Sequence, residues 1–301
     1  MWQAVGFEEI VLLGTLHSIL LEMRPHQWSK NILVYAALLF GGNFFAEGQL
    51  LLASEAFLAF CLASSGVYFI NDIADVEKDR HHPKKCKRPI ASGQITLPVA
   101  CICVALLFAG GGYLSYVVNE SCSFLLIAYV VMNIFYTFRL KHVVIIDVMI
   151  IAAGFVMRAV MGAVAIGAEM TMWFLLCVMF LSLFLALGKR RHELEALEDN
   201  TIAEGRKVLQ FYSVELIDQL MTIVTAALLI CYALFTMDAN TRNHEGMAYT
   251  VPLALYGVFY YLYVVRVKRG GGAPDEALYK EKPILTVVLL YFVSIIVIRN
   301  L

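Results

Sequence analysis

Charge is scarce in this chain. Only 16% of its 301 residues are Asp, Glu, Lys or Arg, while 60% are hydrophobic. A soluble domain carries about 25% charged residues and about half apolar ones, so the shortage excludes an ordinary water-soluble globule. The 24 acids and 23 bases leave a net charge of −1, which gives no electrostatic basis for a bulk polyanion such as nucleic acid as a partner. Repeats with a period of about 20–50 residues are lacking, which excludes solenoids and propellers. There is no CxxC pair and no Cys/His run with zinc spacing. The seven cysteines (61, 86, 101, 103, 122, 177 and 231) therefore read as small apolar fillers of membrane helices, with only Cys86 in an expected loop. The N-terminus lacks the basic stretch of a signal peptide, since its first charges are Glu8 and Glu9. Residues 5–21 are expected to lie on the membrane surface as an amphipathic helix. The expected division is an N-terminal segment, 1–22, and one transmembrane domain, 23–301.

Long apolar runs are abundant. Several approach the roughly 20 residues needed to cross a bilayer. The pattern predicts an all-α polytopic bundle with nine spans, near 29–46, 50–71, 97–118, 121–138, 143–166, 171–188, 214–236, 249–265 and 283–299. Basic residues support that count. Twenty of the 23 Lys and Arg fall on one set of connections, only Arg242 and Arg299 on the other, and Arg158 inside a span. The bias predicts a cytoplasmic N-terminus and an outer C-terminus. Two cytoplasmic connections, about 72–96 and 189–213, are long and polar, so chemistry is expected at that face. Each follows an even-numbered span, which hints at an old duplication.

The first long connection opens with Asn71-Asp72-Ile73-Ala74-Asp75-Val76-Glu77-Lys78-Asp79. On a helix, Asn71, Asp75 and Asp79 form one stripe and Asp72 borders it. Crowded carboxylates resist ionisation together unless a cation joins them. Mg²⁺ suits the task, because it takes a few carboxylates and fills its other positions with water and phosphate oxygens. The alternative is a solvated helix end, but several ionisable groups on an apolar span are costly and point to function. Downstream, Lys84, Lys85 and Lys87 serve phosphate oxygens and anionic lipid headgroups equally well. Arg88, where the chain turns back to the membrane, is the favoured site residue.

With these residues in view, the chain resembles the UbiA superfamily of membrane prenyltransferases. Asn71, Asp72, Asp75 and Asp79 match its first acidic motif, and Arg88-Pro89-Ile90-Ala91-Ser92-Gly93 and the nine spans agree. The finer resemblance, over about residues 22–290, is to the decaprenyl-phosphate phosphoribosyltransferases. Arg24-Pro25-His26-Gln27-Trp28-Ser29-Lys30-Asn31 carries it, as do Leu140-Lys141-His142, Asp147 and Arg158-Ala159. Gly188-Lys189-Arg190-Arg191-His192-Glu193-Leu194 and Arg206-Lys207 complete it. Typical superfamily members carry a second acidic motif after the sixth span. Here Lys189, Arg190 and Arg191 stand in that place.

The resemblance implies Mg²⁺-dependent transfer of phosphoribosyl from phosphoribosyl diphosphate (PRPP) to a polyprenyl phosphate. The acidic motif would hold Mg²⁺ and the leaving diphosphate, with Asp72, Asp75 and Asp79 catalytic. Lys189, Arg190 and Arg191 would bind a phosphate group of either substrate. It also implies phosphate contacts at Gln27 and Lys30, where the residue-level alternative is a cytoplasmic anchor around Trp28. Tyr136, Lys141 and Asp147 are further candidates for substrate binding. For Tyr136 an interface aromatic, and for Lys141 an ordinary positive-inside residue, are the competing roles. Asp147 and Arg158 lie about three turns apart, so separate partners are expected, with Arg158 structural. Assembly into a homo-oligomer in the membrane is compatible with this resemblance. The Asp-Asp pair that soluble phosphoribosyltransferases place after a strand is absent, so a PRPP site here would be an independent solution.

His81, His82, His142 and His192 read as solvated, because no step needs a general base. Glu195, Glu198, Asp199 and Glu204 read as a solvated helix face, Gly270-Gly271-Gly272 as a flexible loop, and Gly110-Gly111-Gly112 as a place of close helix packing. Two other functions compete: prenyl transfer from a prenyl diphosphate, which the missing second acidic motif disfavours, and transport. Transport sites lie nearer the midplane, where only Arg158 is charged.

Overall fold

The computed structural model describes residues 14–41, 48–199, 206–238, 244–270, 272 and 280–300. The expectations for residues 5–13, Glu204, Arg242 and Gly271 lie outside these, as does the Arg299 side chain. Among the described residues the chain is all helix and turn, without strands. The α-helices are α1 (residues 14–22), α2 (Ala36–Gly41), α3 (Gln49–Ala74), α4 (Val76–His81), α5 (Leu97–Val118) and α6 (Glu120–Phe138). They continue as α7 (Ile146–Ile166), α8 (Met172–Glu198), α9 (Val214–Met237), α10 (His244–Met247), α11 (Val251–Arg266) and α12 (Lys282–Asn300). Seven helices are long and apolar enough to cross a membrane: α3, α5, α6, α7, α8, α9 and the stretch Ala248–Arg266. The protein is an integral membrane protein of helical type.

Local chemistry sets the helix starts. Asn119 accepts from Cys122 N at 2.8 Å to open α6, Thr171 accepts from Phe174 N at 3.2 Å to open α8, and Ser213 accepts from Leu216 N at 3.2 Å to open α9. Each satisfies one of the donors that a helix start leaves unpaired. Gly167, at φ +64, closes α7 in the left-handed conformation that glycine adopts without penalty.

Three expectations need correction. The first expected span is not one helix. Residues Pro25–Tyr35 form a 3-10 segment, followed by the six-residue α2. Side chains of α3 explain how so long a 3-10 run persists. Trp28 Nε1 donates to Ser65 Oγ at 3.1 Å, and Asn31 Nδ2 reaches Ser64 Oγ at 3.3 Å. Second, the chain does not leave helix at residue 188. It continues to Glu198, because 189–198 is built of good helix formers without Gly or Pro. Third, the acidic stripe is not on one uninterrupted helix. Asp75, at φ −99 and ψ 8, separates α3 from α4, although Asp75 N→Asn71 O (3.0 Å) and Asp79 N→Asp75 O (2.8 Å) keep one-turn spacing across the break.

By packing, the chain divides into two compact units, Met1–Tyr35 with Leu51–Arg139, and Ala36–Leu50 with Leu140–Leu301. In the first, Phe69 of α3, Ile90 and Ile95 of the returning loop and Ala100 of α5 form a buried cluster, against which Ile19 and Met23 also pack. Of the three glycines in α5, Gly111 makes the close approach. A Cβ there would stand 3.0 Å from the Ala59 carbonyl oxygen, whereas none of Gly112's neighbours would be touched. In the second unit, α7, α8, α9 and α11 share a core that includes Val148, Phe184, Leu187, Ile217 and Val265, closed by Val208, Leu209 and Tyr212.

Candidate active site

The first unit gathers the acids. Asp72 and Asp79 lie seven residues apart, two helical turns, and both are 2% exposed. They converge on one cation: Arg88 Nη1 is 3.0 Å from Asp72 Oδ1 and 2.5 Å from Asp79 Oδ2. Arg88 is held in place from below. Its N–H donates to Lys85 O at 3.0 Å, its carbonyl accepts from Ser92 N at 2.8 Å, and Ile95 N donates to Pro89 O at 3.0 Å. The buried Ile90 and Ile95 then fasten this turn to Phe69. Arg24 closes on Asp72 from the other side and lies 5.1 Å from the Tyr68 ring centroid. Its backbone is at φ +53, a strained state for a residue before proline, worth about 1–3 kcal/mol. Asn71 Nδ2 is 3.4 Å from Asp72 Oδ1, and Lys85 Nζ is 3.9 Å from Asp79 Oδ1. Asp75 is half-buried at the helix break.

A further carboxylate joins them. Glu22, the last residue of α1, is 1% exposed and lies beside Asp72, with Arg24 and Arg88 near enough to act on its charge. Its Oε1 is buried and has no hydrogen-bond partner. Burial, then contact with Asp72, pushes its carboxyl up from 4.5 to about 8, so Glu22 holds a proton at neutral pH in this arrangement.

The second unit gathers the bases, and carboxylates surround them. Arg190 is 1% exposed. Its guanidinium bonds Glu193 one turn along, and its Nε is 3.7 Å from Asp147 Oδ2. Asp147, fully buried in the first turn of α7, receives a 2.8 Å hydrogen bond from the Tyr212 hydroxyl, a position where a helix N-terminus favours negative charge. Arg191 is more fully engaged: Glu195 at 2.8 Å, Asp218 of α9 at 2.9 Å, and the Val265 carbonyl of α11 at 3.1 Å. Those bonds join three helices. Glu195 is thus an ion-pair partner and not the solvated residue expected, whereas Glu198 and Asp199 are exposed as expected, Asp199 in a surface pair with Arg269 at 3.3 Å. Lys189 is half-buried on the same helix.

The remaining candidates are scattered. Gln27 is half-buried and Lys30 exposed on the 3-10 segment; Tyr136 is half-buried near the end of α6; Lys141 is half-buried in the turn Leu140–His142. Arg158 donates to the Gly154 carbonyl of its own helix at 2.7 Å and lies 5.5 Å from the Phe155 ring centroid, so it and Asp147 have separate partners, as expected. Three histidines expected to be solvated also make bonds within the protein: His81 Nδ1 is 2.8 Å from Glu77 O, His82 Nδ1 accepts from Lys84 N at 3.1 Å, and His192 Nδ1 is 3.1 Å from Arg269 O.

Comparison with known proteins places this geometry. Residues 31–282 match the UbiA prenyltransferase family. The chain belongs to that family. The decaprenyl-phosphate phosphoribosyltransferase of Corynebacterium glutamicum is 35% identical to this UbiA-family chain over 281 residues, covering 91% of it and 84% of the relative. The enzyme of the same name from Mycobacterium tuberculosis is 31% identical over 278 residues, covering 91% of each. Among solved structures, a UbiA homologue from Archaeoglobus fulgidus bound to DMAPP and Mg²⁺ superposes with a TM-score of 0.72 at 19% identity, over 94% of this chain and 99% of that one. This UbiA-family protein is a transferase with the fold those matches define.

A divalent metal, which the family's chemistry implies, fits the acidic cluster by donor type. Asp72 and Asp79 already meet on a single cationic atom, and hard carboxylate oxygens are what Mg²⁺ takes. Among the described residues, no group of three or more His, Cys, Asp or Glu side chains is arranged to hold a metal by itself, which leaves the remaining positions to water and phosphate oxygens. Four residues of these clusters escaped the sequence reading: Glu22, Arg24 as an Asp72 partner, Tyr212, and Asp218. Each acts across 27 to 65 positions of sequence, beyond any helical spacing. The one available signal was Arg24 within the motif that carries the family resemblance.

Proposed function

We propose that this protein transfers the 5-phosphoribosyl group of PRPP to a polyprenyl phosphate, releasing diphosphate, in a Mg²⁺-dependent reaction. What carries the proposal is the replacement of a second acidic motif by Lys189-Arg190-Arg191 in a chain whose relatives, 31% and 35% identical, bear the name decaprenyl-phosphate phosphoribosyltransferase. The bond that breaks joins the anomeric carbon to the diphosphate oxygen, and the bond that forms joins that carbon to an oxygen of the lipid phosphate. The nucleophile is already an anion and needs no general base. In-line displacement inverts the anomeric centre.

Asn71, Asp72, Asp75 and Asp79 would hold Mg²⁺. Bound there, it would supply charge stabilisation for the departing diphosphate. Arg88 and Arg24, which neutralise the carboxylates in this structure, are the nearest cations to turn toward diphosphate oxygens when a metal takes the carboxylates. Arginine's planar fork suits that exchange. Gln27, Lys30, Lys141 and Tyr136 are assigned to substrate contacts. Lys189 and Arg190 are assigned to a phosphate group, whereas Arg191, with its three partners, holds α8, α9 and α11 together. The lipid tail would lie on apolar helix faces open to the bilayer, and the site would face the cytoplasm, where the basic connections lie.

Incubation of the purified protein with PRPP, Mg²⁺ and polyprenyl phosphates of several lengths, followed by mass spectrometry, tests the proposal. A lipid-soluble phosphoribosyl product, lost on chelation, is expected. A product formed only from a prenyl diphosphate and an aromatic acceptor would replace it with ordinary prenyl transfer.

A further inference from the structure

One face of α3 holds the segment that brings Arg24 to Asp72. Tyr68 and Asp72 follow Ser65 by three and seven residues, so all three lie on one side of that helix. Asp72 takes the Arg24 guanidinium, and the Tyr68 ring centroid is 5.1 Å from it. Ser65 takes the backbone: its Oγ donates to Met23 O at 2.8 Å and accepts from Trp28 Nε1 at 3.1 Å. A serine inside a helix ordinarily donates back to a carbonyl of its own preceding turn. Ser64 does so, to Cys61 O at 3.1 Å. Ser65 beside it, fully buried, donates away from its own helix.

That bond falls where the chain is strained. Met23 O and the Arg24 N–H are the two ends of one peptide plane. Ser65 holds the oxygen, and the N–H donates to Leu21 O at 3.1 Å. With the plane fixed at both ends, φ +53 at Arg24 brings its side chain to Asp72. Arg24 O, on the far side, accepts from Gln27 N at 2.8 Å. Rotating the Met23–Arg24 plane would let this residue before proline return to negative φ. The same rotation would break the Ser65 bond and carry Arg24 away from Asp72.

We propose that Ser65 is a positioning residue of the acidic centre: its hydroxyl locks the Met23–Arg24 peptide and so keeps Arg24 on Asp72. Asp72 then has a guanidinium at each oxygen, Arg24 at Oδ2 and Arg88 at Oδ1, which fixes the rotation of the carboxylate. This role rests on the reading of Asp72 as part of the reacting centre. Without the lock, Oδ2 loses its guanidinium, and the carboxylate is no longer held in one orientation before substrate arrives.

The experiment measures kinetics with both substrates, and amide hydrogen exchange over residues 19–28, in Ser65→Ala, Arg24→Gln, their double mutant and Asp72→Asn. Ser65→Ala should speed exchange at the Arg24 and Gln27 amides by about tenfold and lower kcat/KM for PRPP by about tenfold, the scale of one buried hydrogen bond. KM for the polyprenyl phosphate should stay within about twofold, which a general loosening of the fold would not spare. The double mutant should be no worse in kcat/KM than Arg24→Gln, because Ser65 acts through Arg24. Unchanged exchange in Ser65→Ala, unchanged kcat/KM beside faster exchange, or effects that multiply in the double mutant would each overturn the role of Ser65, while lost transfer in Asp72→Asn would still uphold the site. Full transfer in Asp72→Asn, or no transfer from PRPP by the unaltered protein, would overturn the reading of the acidic centre and the role of Ser65 with it. Should Ser65→Ala fail to fold, Trp28→Phe keeps an aromatic ring and removes the donor that orients the Ser65 hydroxyl. It should give the same pattern at about threefold, and unchanged exchange and kcat/KM there would overturn the lock.

Discussion

The two charged clusters solve opposite problems. In the first unit, two buried carboxylates share an arginine that comes from a turn and is 27% exposed. In the second, two buried arginines, with side chains 1% and 8% exposed, are shared among four carboxylates on α7, α8 and α9. A half-exposed cation on a short turn can swing away and be replaced; a buried guanidinium bonded to three elements cannot leave without exposing its partners. The first cluster is thus suited to exchange its cation and the second to keep it. The contrast also separates Arg190 from Arg191. Arg190 bonds Glu193 on its own helix and meets Asp147 of α7 at ion-pair distance, whereas Arg191 ties α8 to α9 and α11.

The sharpest attempt to break this contrast is Asp79→Asn. It should lower transfer from PRPP by about 10²–10³-fold or more, the scale of losing one preorganised electrostatic contact to a transition state, while the melting temperature in detergent moves little. Retained transfer would remove the acidic cluster from the reaction. Next comes Arg191→Ala, expected to do the reverse. Breaking a buried ion pair costs about 3–5 kcal/mol, seen as a lowered melting temperature, with KM near normal in the protein that stays folded. A raised KM without lost stability would move Arg191 to the substrate. The smallest effect concerns Glu22. Its folded carboxyl is raised from 4.5 to about 8, so the folded state keeps a proton that the unfolded chain releases. The contribution of Glu22 to stability is therefore fully present below about pH 4.5 and is lost as pH rises through about 8. In metal-free buffer, Glu22→Gln should flatten that decline; an unchanged pH profile would exclude Glu22 from the cluster.

How much of this was legible in sequence depended on distance along the chain. Asp72 and Asp79 could be aligned because helical periodicity relates residues seven apart, and the break at Asp75 preserves that spacing. Apolar runs marked seven of the membrane helices. The length of α8 was misjudged because hydropathy falls at Lys189 while helix propensity does not; the pairs Arg190–Glu193 and Arg191–Glu195, at helical spacing, were the overlooked sign. The 3-10 conformation of Pro25–Tyr35 depends on Ser64 and Ser65 of α3, and no local pattern encodes it. Tyr212 read as one aromatic among fifteen, since its bond to Asp147 exists only once α7 and α9 have packed.

Helix α1 is turned inside out by the usual standard of a surface helix. Leu16, Leu20 and Leu21 are about half exposed, while Ser18 and Glu22 are buried, and Ser18 bonds Gln94 at 3.0 Å. Lipid would cover the leucines; protein covers the carboxylate. Lifting α1 off the membrane would therefore wet three leucine faces and withdraw Glu22 from Asp72 in the same motion. The leucine face and the buried carboxylate belong to one short helix, so whatever seats the one also places the other beside Asp72.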